Sequence, residues 1–323
     1  MGEKRNKNLS HPSAHDIIAL MKAPTAKDRA LIEKAYAFAE KAHAGQTRYS
    51  GEPYFNHVAF VAQNLATIKM DATTIVAGLL HDTIEDAATS EKIIQEEFGK
   101  EVLFLVLGVT KLGKLKYRGV ERHVESLRKF FIAMSADIRV LLIKLADRLH
   151  NIQTLEHVPE EKRKRIALET LEVHARLADR LGMGKWKSLF EDAAFAYAYP
   201  KEHAEVSALI KTKRVTDEKY AEKIYRSIQK QLVAQGMKTA HVEYRVKNLY
   251  SLWKKLIRRD MDASKIYDIL ALRVIVSSVE ECYQALGIIH QHWKPVPGRI
   301  KDYIAIKKPN GYRSLHPTIF RGD

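Results

Sequence analysis

Four ionisable side chains lie within the six residues His81-Asp82-Thr83-Ile84-Glu85-Asp86. The apolar run 75–80 before them predicts a buried helix, which the segment continues. On that helix His81 and Glu85 share one face, and Asp82 and Asp86 share another. An imidazole and a carboxylate could hold a metal ion while two further carboxylates face a substrate one turn later. Because such a group is costly to bury without partners or a metal, the pattern indicates a metal-dependent phosphohydrolase site.

Two other segments supply residues of the same types. His57 follows a loop that carries Arg48, and Asp147 lies on a strongly apolar predicted helix. Taken singly, His57 is better explained as a core histidine, and the segment 147–151 as a surface salt-bridge face. Together with His81 and Asp82, however, they offer two imidazoles and two carboxylates to a divalent ion such as Mn, Fe, Zn or Mg. Water would complete the coordination and supply the nucleophile.

The elements that must position these residues are helices. Apolar residues recur at helical spacing from residue 25 to about 199, with loops predicted at 45–54 and 113–119. Beyond Pro200 the pattern alternates between helices and strands. We predict helices over 216–236, 248–259 and 280–293, and strands over 241–247, 269–276, 302–306 and 314–320, with a turn at 309–311 joining the last two strands.

The sequence therefore predicts an N-terminal arm over residues 1–25, an all-helical domain over 26–199 and a mixed α/β domain over 200–323, which together make an α+β protein. The chain is long enough for two domains. The one cysteine, Cys282, excludes an internal disulfide and fits a cytoplasmic setting. No apolar run is long enough to span a bilayer.

The positive charge is concentrated in the second domain. The net charge is +15, of which residues 201–323 contribute +11, from 24 Lys and Arg against 13 Asp and Glu. Such a field suits a polyanionic partner, either a nucleic acid or a nucleotide with several phosphates. A generally basic surface explains the charge equally well.

Specific motifs of the helical domain resemble the hydrolase domain of the Rel/SpoT family of (p)ppGpp enzymes, within the wider HD phosphohydrolases. The resemblance covers residues 31–199 and rests on the segments 51–54, 81–86, 108–112, 137–140 and 144–151. It implies removal of the 3′-pyrophosphate of ppGpp or pppGpp, which gives GDP or GTP. It implies one Mn²⁺ held by His57, His81, Asp82 and Asp147, with Glu85 and Asp86 positioning or deprotonating the attacking water. It further implies nucleotide contacts from Arg48, Ser50, Asn151 and Thr154.

The second domain carries cations, aromatics and carboxylates suited to nucleotide phosphates. A cluster of cations and a hydroxyl lies at a predicted strand-to-helix turn, where a helix N-terminus can receive phosphate oxygens. From residue 216 onward the sequence resembles the synthetase domain of the same family, which has a nucleotidyltransferase-like fold and transfers pyrophosphate from ATP to GDP or GTP. This resemblance implies a nucleotide and Mg²⁺ site formed by Arg245, Lys247, Ser251, Lys255, Asp268, Lys301, Tyr312 and His316.

Some positions depart from the family pattern. Tyr49 replaces a second basic residue, Tyr244 replaces a glycine before Arg245, and Ala175 replaces a proline. The sequence also stops before the position of the family's catalytic glutamate. We therefore expect an incomplete synthetase domain without activity, and hydrolysis as the competent reaction. Expected partners are guanine nucleotides and ATP, with no membrane; ribosome or tRNA contacts would need C-terminal domains that this sequence lacks.

Three alternatives remain open. The first is an HD phosphohydrolase that acts on other nucleotides. The second is a protein that is mainly a GTP pyrophosphokinase, if the full-length chain continues. The third is a non-catalytic sensor that binds guanine nucleotides or RNA through its basic part.

Overall fold

The computed structural model describes residues 11–85, 87, 89–113, 137–246, 248–261, 270–309 and 311–320, without the side chains of residues 113, 210, 212–221, 244–246 and 270. The chain divides into two compact units, Met1–Arg176 and Leu177–Asp323. Our boundary between residues 199 and 200 stays a prediction. None of the described helices is both long enough and apolar enough to cross a membrane.

The described part of the first unit is helical, as predicted. Its α-helices are α1 (Ala14–Ala19), α2 (Ala26–Ala42), α3 (Tyr54–Thr67), α4 (Ala72–Leu80), α5 (Glu91–Phe98), α6 (Lys100–Gly113), α7 (Ile138–Gln153) and α8 (Glu160–Glu169), with a 3₁₀ turn at Leu155–His157 and a π-helical turn at Thr170–His174. Side-chain caps begin several of these helices: Ser13 and Thr25 form capping boxes, and Asp71, Ser90 and Asp137 accept from the first turn of the helix that follows.

The core of this unit surrounds α4. Helix α4 packs against α2, α3 and α6, and α3 also packs against α7. Every residue of α4 except Thr73 is buried. At Gly78 a Cβ atom would lie 2.5 Å from the Leu65 Cδ1 atom, so a larger residue there would force α3 to shift or repack. This close packing sets the distance between α3, which carries His57, and α4, which His81 directly follows.

The second unit mixes helices and short antiparallel strands, which confirms the predicted α+β class. Helix α9 (Ala175–Arg180) begins two residues before the start of this unit at Leu177. Its other elements are α10 (Gly184–Ala198), α11 (Pro200–Ala234), β1 (His241–Val246), α12 (Leu249–Ile257), β2 (Leu270–Ile275), α13 (Val279–His292), β3 (Lys301–Asp302) and β4 (Leu315–His316). Strand β1 pairs with β2 from His241 opposite Ile275 to Val246 opposite Leu270, and β3 pairs with β4.

The last two strands are shorter than predicted. The backbone turns directly after β3, because Asp302 Oδ1 accepts hydrogen bonds from the backbone N–H groups of Ile304 and Ala305, at 2.8 Å each. Pro317 follows β4 and has no N–H with which to continue the ladder. The predicted turn at 309–311 includes Asn310, which lies outside the described residues.

Candidate active site

Three segments of the first unit carry the predicted metal ligands. His57 lies in the first turn of α3, His81 and Asp82 directly follow α4, and Asp147 lies in the second half of α7. The packing of α3 against both α4 and α7 brings these segments together. His57 and His81 are each 1% exposed and Asp147 is 6% exposed, so the group lies at the edge of the core.

The helix predicted through residues 81–86 is wrong, since α4 ends at Leu80 and residues 81–85 form turns. The Leu80 carbonyl accepts both from the Thr83 backbone N–H at 3.1 Å and from the Thr83 hydroxyl at 2.7 Å. This tighter local bonding replaces the helical ladder. His81 and Glu85 therefore do not share a helix face. Glu85 is exposed, and Asp86 lies outside the described residues.

Each of the four predicted ligands lies within 4 Å of at least one of the others. His57 Nε2 is 3.3 Å from Asp147 Oδ1 and 3.8 Å from Asp82 Oδ2. His81 Nε2 is 3.1 Å from the same Asp82 oxygen. One ligand atom from each of His57, His81 and Asp147 falls within a group no wider than 4.8 Å. The structure thus brings together residues separated by up to 90 positions in the sequence.

The electrostatics of this group favour two ionised carboxylates. Burial acts to raise the pKa values of Asp82 and Asp147, but His81 beside the first and Lys144 beside the second hold both pKa values below the usual range. Burial lowers the pKa of His57. Burial also acts to lower the pKa of His81, but the Asp82 and Asp147 carboxylates outweigh it and raise that pKa to about 9. Both carboxylates are therefore in the charged form that a cation would bind.

The residues present fit a divalent metal ion. His81 Nδ1 lies 2.9 Å from the Gly78 carbonyl oxygen, which can only accept, so Nδ1 carries a hydrogen. His81 Nε2 is buried and, among the described residues, makes no hydrogen bond of good geometry, although Asp82 Oδ2 lies 3.1 Å away. A histidine whose other nitrogen donates to a carbonyl is the usual arrangement of a metal ligand. Two imidazoles with two carboxylates suit Zn, Mn or Fe by ligand type, which leaves the identity of the ion open.

Three of the four predicted nucleotide-binding residues also lie together. The loop predicted at 45–54 joins α2 to α3, and within it the backbone N–H of Arg48 bonds the Glu52 carbonyl at 3.0 Å. The Arg48 guanidinium donates to the Asn151 side-chain oxygen and to the Thr154 hydroxyl, the latter at 3.3 Å. Ser50 lies in the same loop, where its hydroxyl accepts from the Glu52 N–H at 3.4 Å.

Three contacts of the cluster were not predicted from the sequence. The Tyr54 hydroxyl donates to Asp82 Oδ2 at 2.8 Å, and Lys144 donates to Asp147 Oδ2 at 2.8 Å. His150 Nδ1 lies 2.9 Å from His57 Nδ1. The sequence did contain a signal for Lys144 and His150. Each lies three positions from Asp147 on α7, and residues three apart on a helix share a face. The same spacing applies to Tyr54, which lies three positions before His57 on α3.

The predicted synthetase residues fall into separate groups within the second unit. Ser251 lies near the start of α12, where its hydroxyl donates to Glu191 Oε2 at 3.1 Å, and the partly buried Lys255 lies one turn later. Lys301 pairs with His316 across β3 and β4, and the Tyr312 hydroxyl lies 3.1 Å from His316 Nε2. Arg245 lies on β1, but its side chain is not among those described; Lys247 and Asp268 lie outside the described residues.

Comparison with known proteins gives two family matches. The description "HD domain" matches residues 35–184, and "Region found in RelA / SpoT proteins" matches residues 244–323. A Myxococcus xanthus protein named GTP pyrophosphokinase is 47% identical over 296 residues, which are 90% of this chain and 39% of the relative. An Aquifex aeolicus protein named guanosine-3′,5′-bis(diphosphate) 3′-pyrophosphohydrolase is 47% identical over 289 residues, 89% of this chain and 41% of the relative.

A third relative carries both activities in its name. The Escherichia coli K12 protein named bifunctional (p)ppGpp synthase/hydrolase SpoT is 45% identical over 289 residues, which are 89% of this chain and 41% of the relative. The chain thus spans about two fifths of the length of the curated relatives that it matches.

Proposed function

We propose that this chain, which belongs to the Rel/SpoT family, removes the 3′-pyrophosphate of (p)ppGpp in its HD domain and releases GDP or GTP. The observation that carries the proposal is the group of His57, His81 and Asp147, buried at one edge of the core with ligand atoms within 4.8 Å of one another. The names of the Aquifex aeolicus and Escherichia coli relatives support the choice of reaction and substrate.

The metal is proposed to be Mn²⁺, held by His57, His81, Asp82 and Asp147. When bound, a divalent ion supplies Lewis-acid stabilisation of the attacked phosphate and activates water. The Tyr54 hydroxyl and the Lys144 ammonium group each hold one carboxylate oxygen of the cluster, at 2.8 Å. Lys144 holds the Asp147 oxygen that does not face His57, whereas Tyr54 bonds the same Asp82 oxygen that faces the two histidines. Both therefore orient the carboxylates, as outer partners commonly do in metal sites.

Glu85 and Asp86 are proposed to orient the attacking water and to accept its proton. Glu85 follows Asp82 by three residues in a turn and is exposed, so solvent and substrate can reach its carboxylate. Arg48, Ser50, Asn151 and Thr154 are proposed to contact the nucleotide; the planar, charged guanidinium of Arg48 suits both a base face and phosphate oxygens.

Purified chain incubated with Mn²⁺ and ppGpp tests this function. We expect GDP and pyrophosphate in equal amounts. Asp82→Asn should reduce turnover by at least about 100-fold, since it removes a charge from the ion's environment. The matched control is Asp179→Asn, which alters a carboxylate that pairs with Lys187 at 2.9 Å in the second unit; it should leave turnover unchanged. Equal rates for the two variants would contradict the proposal.

The same preparation separates the alternatives. Turnover of other nucleotides at comparable rates would favour a general HD phosphohydrolase. Tight guanine-nucleotide or RNA binding without turnover would favour a sensor. The names of relatives such as the Myxococcus xanthus protein favour a second candidate, GTP pyrophosphokinase activity with Mg²⁺ in the RelA/SpoT region. Incubation with ATP and GDP tests it, and formation of ppGpp would support it. The cytoplasmic location and the ribosome or tRNA contacts of a longer chain stay predictions.

A further inference from the structure

The Arg48 guanidinium contacts three residues near the C-terminal end of α7. It bonds His150 Nδ1 at 3.0 Å, the Asn151 side-chain oxygen, and the Thr154 hydroxyl at 3.3 Å. The loop beneath it is fixed by two backbone hydrogen bonds, Arg48 N–H to the Glu52 carbonyl and Gly51 N–H to the Arg48 carbonyl. Contacts within the chain therefore define the position of the guanidinium.

Two of these three residues also contact proposed metal ligands. His150 Nδ1 is 2.9 Å from His57 Nδ1, and the Asn151 amide nitrogen donates to Asp147 Oδ1. Arg48 is thus two hydrogen bonds away from a ligand residue along each of two routes. His150 is held in place by the Phe60 ring, on which it stacks with centroids 5.0 Å apart and planes inclined by 17°.

The guanidinium determines where the hydrogens lie along both routes. It has donors only, so His150 Nδ1 must accept and carries no hydrogen. The hydrogen between the two imidazoles then belongs to His57 Nδ1, and the single Nδ1 lone pair of His150 is shared between this hydrogen and the guanidinium. The His57 Nε2 lone pair therefore faces Asp147, 3.3 Å away. By the same reasoning the Asn151 oxygen faces Arg48, and its amide N–H₂ faces the Asp147 carboxylate. Both ligand residues are therefore held in the form that binds a metal.

We propose that Arg48 is a positioning residue for the metal site, acting through His150 and Asn151, in addition to any contact with the nucleotide. This inference rests on the proposed metal site. Its consequence is that the metal and the nucleotide share one network. Removal of the guanidinium fork should weaken metal binding even when no nucleotide is present.

The sign of the effect distinguishes this role from simple electrostatics. Arg48 is a cation near a cation site, so its charge alone opposes metal binding, and a neutral replacement would strengthen binding. Positioning predicts the opposite change. Arg48→Lys keeps the charge but loses the fork, while Arg48→Gln removes the charge as well. Both should weaken binding if the fork matters, by about 10-fold, the lower end of the range for outer partners of metal ligands.

The experiment is a calorimetric Mn²⁺ titration of the nucleotide-free chain. The unaltered chain is compared with Arg48→Lys, Arg48→Gln and the control Arg226→Gln, which removes the charge of an exposed arginine that pairs with Glu222 in the second unit. Thermal unfolding followed by circular dichroism verifies that each variant is folded. We expect both Arg48 variants to bind Mn²⁺ about 10-fold more weakly, and Arg226→Gln to bind as tightly as the unaltered chain.

A second readout reports the hydrogen on His57 directly. In ¹⁵N spectra of histidine-labelled, metal-free chain, His57 should be in the Nδ1–H form, and Arg48→Gln should shift it toward a mixture. Folded Arg48 variants that bind Mn²⁺ as tightly as the unaltered chain, or more tightly, would overturn the inference and leave the proposed hydrolase function intact. If the unaltered chain itself bound no divalent metal, the proposed function would fail and the inference with it.

Discussion

A buried carboxylate in the second unit, Glu191 on α10, gives a prediction that the structure quantifies. Glu191 is 3% exposed and accepts from the Asn248 amide at 2.8 Å, the Ser251 hydroxyl at 3.1 Å and the Lys254 ammonium group at 2.9 Å. Asn248 is also the N-cap of α12, since its side-chain oxygen accepts from the Ser251 N–H at 2.7 Å. Glu191 therefore fixes the orientation of the residue that begins this helix.

Glu191→Ala removes the carboxylate that accepts hydrogen bonds from Asn248, Ser251 and Lys254. Hydrogen bonds to a charged group contribute about 1.5–3 kcal/mol each. The Lys254 side chain is 43% exposed and regains water, so its pair contributes about 1 kcal/mol or less. Part of the remaining loss is recovered as Asn248 and Ser251 also rehydrate. We therefore expect the free energy of unfolding of the second unit to fall by about 2–4 kcal/mol.

Tryptophan fluorescence during urea denaturation measures this unit selectively, because all three tryptophans, Trp186, Trp253 and Trp293, lie in it. With a typical urea dependence of about 2 kcal/mol/M, the midpoint should fall by about 1–2 M. The control is Glu222→Ala, which breaks an exposed pair with Arg226 on α11 and should change stability by about 0.5 kcal/mol or less. Equal midpoints for the two variants would refute the reasoning.

Three further predictions concern the first unit. Tyr54→Phe removes the hydroxyl that holds Asp82 at 2.8 Å, so Mn²⁺ affinity measured by calorimetry should fall about 10-fold; unchanged affinity would show that the contact is dispensable. In the loop that joins α2 to α3, Gly51 has a φ of 80°, a conformation that is strained for alanine. Gly51→Ala should therefore lower the free energy of unfolding of the first unit by about 1–2 kcal/mol, as measured by thermal unfolding followed by circular dichroism. An unchanged free energy of unfolding would mean that the loop adapts without strain. The pKa of His81 is raised to about 9, so protonation of His81 stabilises the metal-free chain fully below the ordinary histidine pKa of 6.5, and this stabilisation is lost as the pH rises through 9. Because a metal ion must displace that proton, the apparent Mn²⁺ affinity should rise from pH 7 to 9 by up to about tenfold per pH unit. A Mn²⁺ affinity that does not change with pH would contradict this prediction.

The sequence predicted the helical first unit, the mixed second unit and the residue types of the candidate site. The prediction was possible because apolar residues recur at regular helical spacing in α3, α4 and α7. Ionisable residues take the place of an apolar residue at only a few of these positions. The course of residues 81–85 was not predictable from periodicity, because a single threonine hydroxyl ends the helix by bonding the Leu80 carbonyl. Local competition of this kind leaves no periodic signal.

The relations between the predicted residues also required the structure. Arg48 and Asn151 were both predicted to contact nucleotide, but their bond to each other depends on how the loop after α2 folds over α7. Tyr54 was part of a motif without a role, and the structure places its hydroxyl on Asp82. Such contacts join residues that are distant in sequence, and their spacing carries no information about them.

The most direct test of the central claim is a metal-depletion experiment with ppGpp as substrate. The chain is stripped with a chelator, assayed, and assayed again after Mn²⁺ is restored, with ³¹P spectra identifying the products. We expect no turnover without metal, and recovery with Mn²⁺ that yields pyrophosphate and GDP with a free 3′-hydroxyl, with no recovery in His81→Ala. Turnover by the stripped chain, or full recovery in His81→Ala, would contradict this expectation.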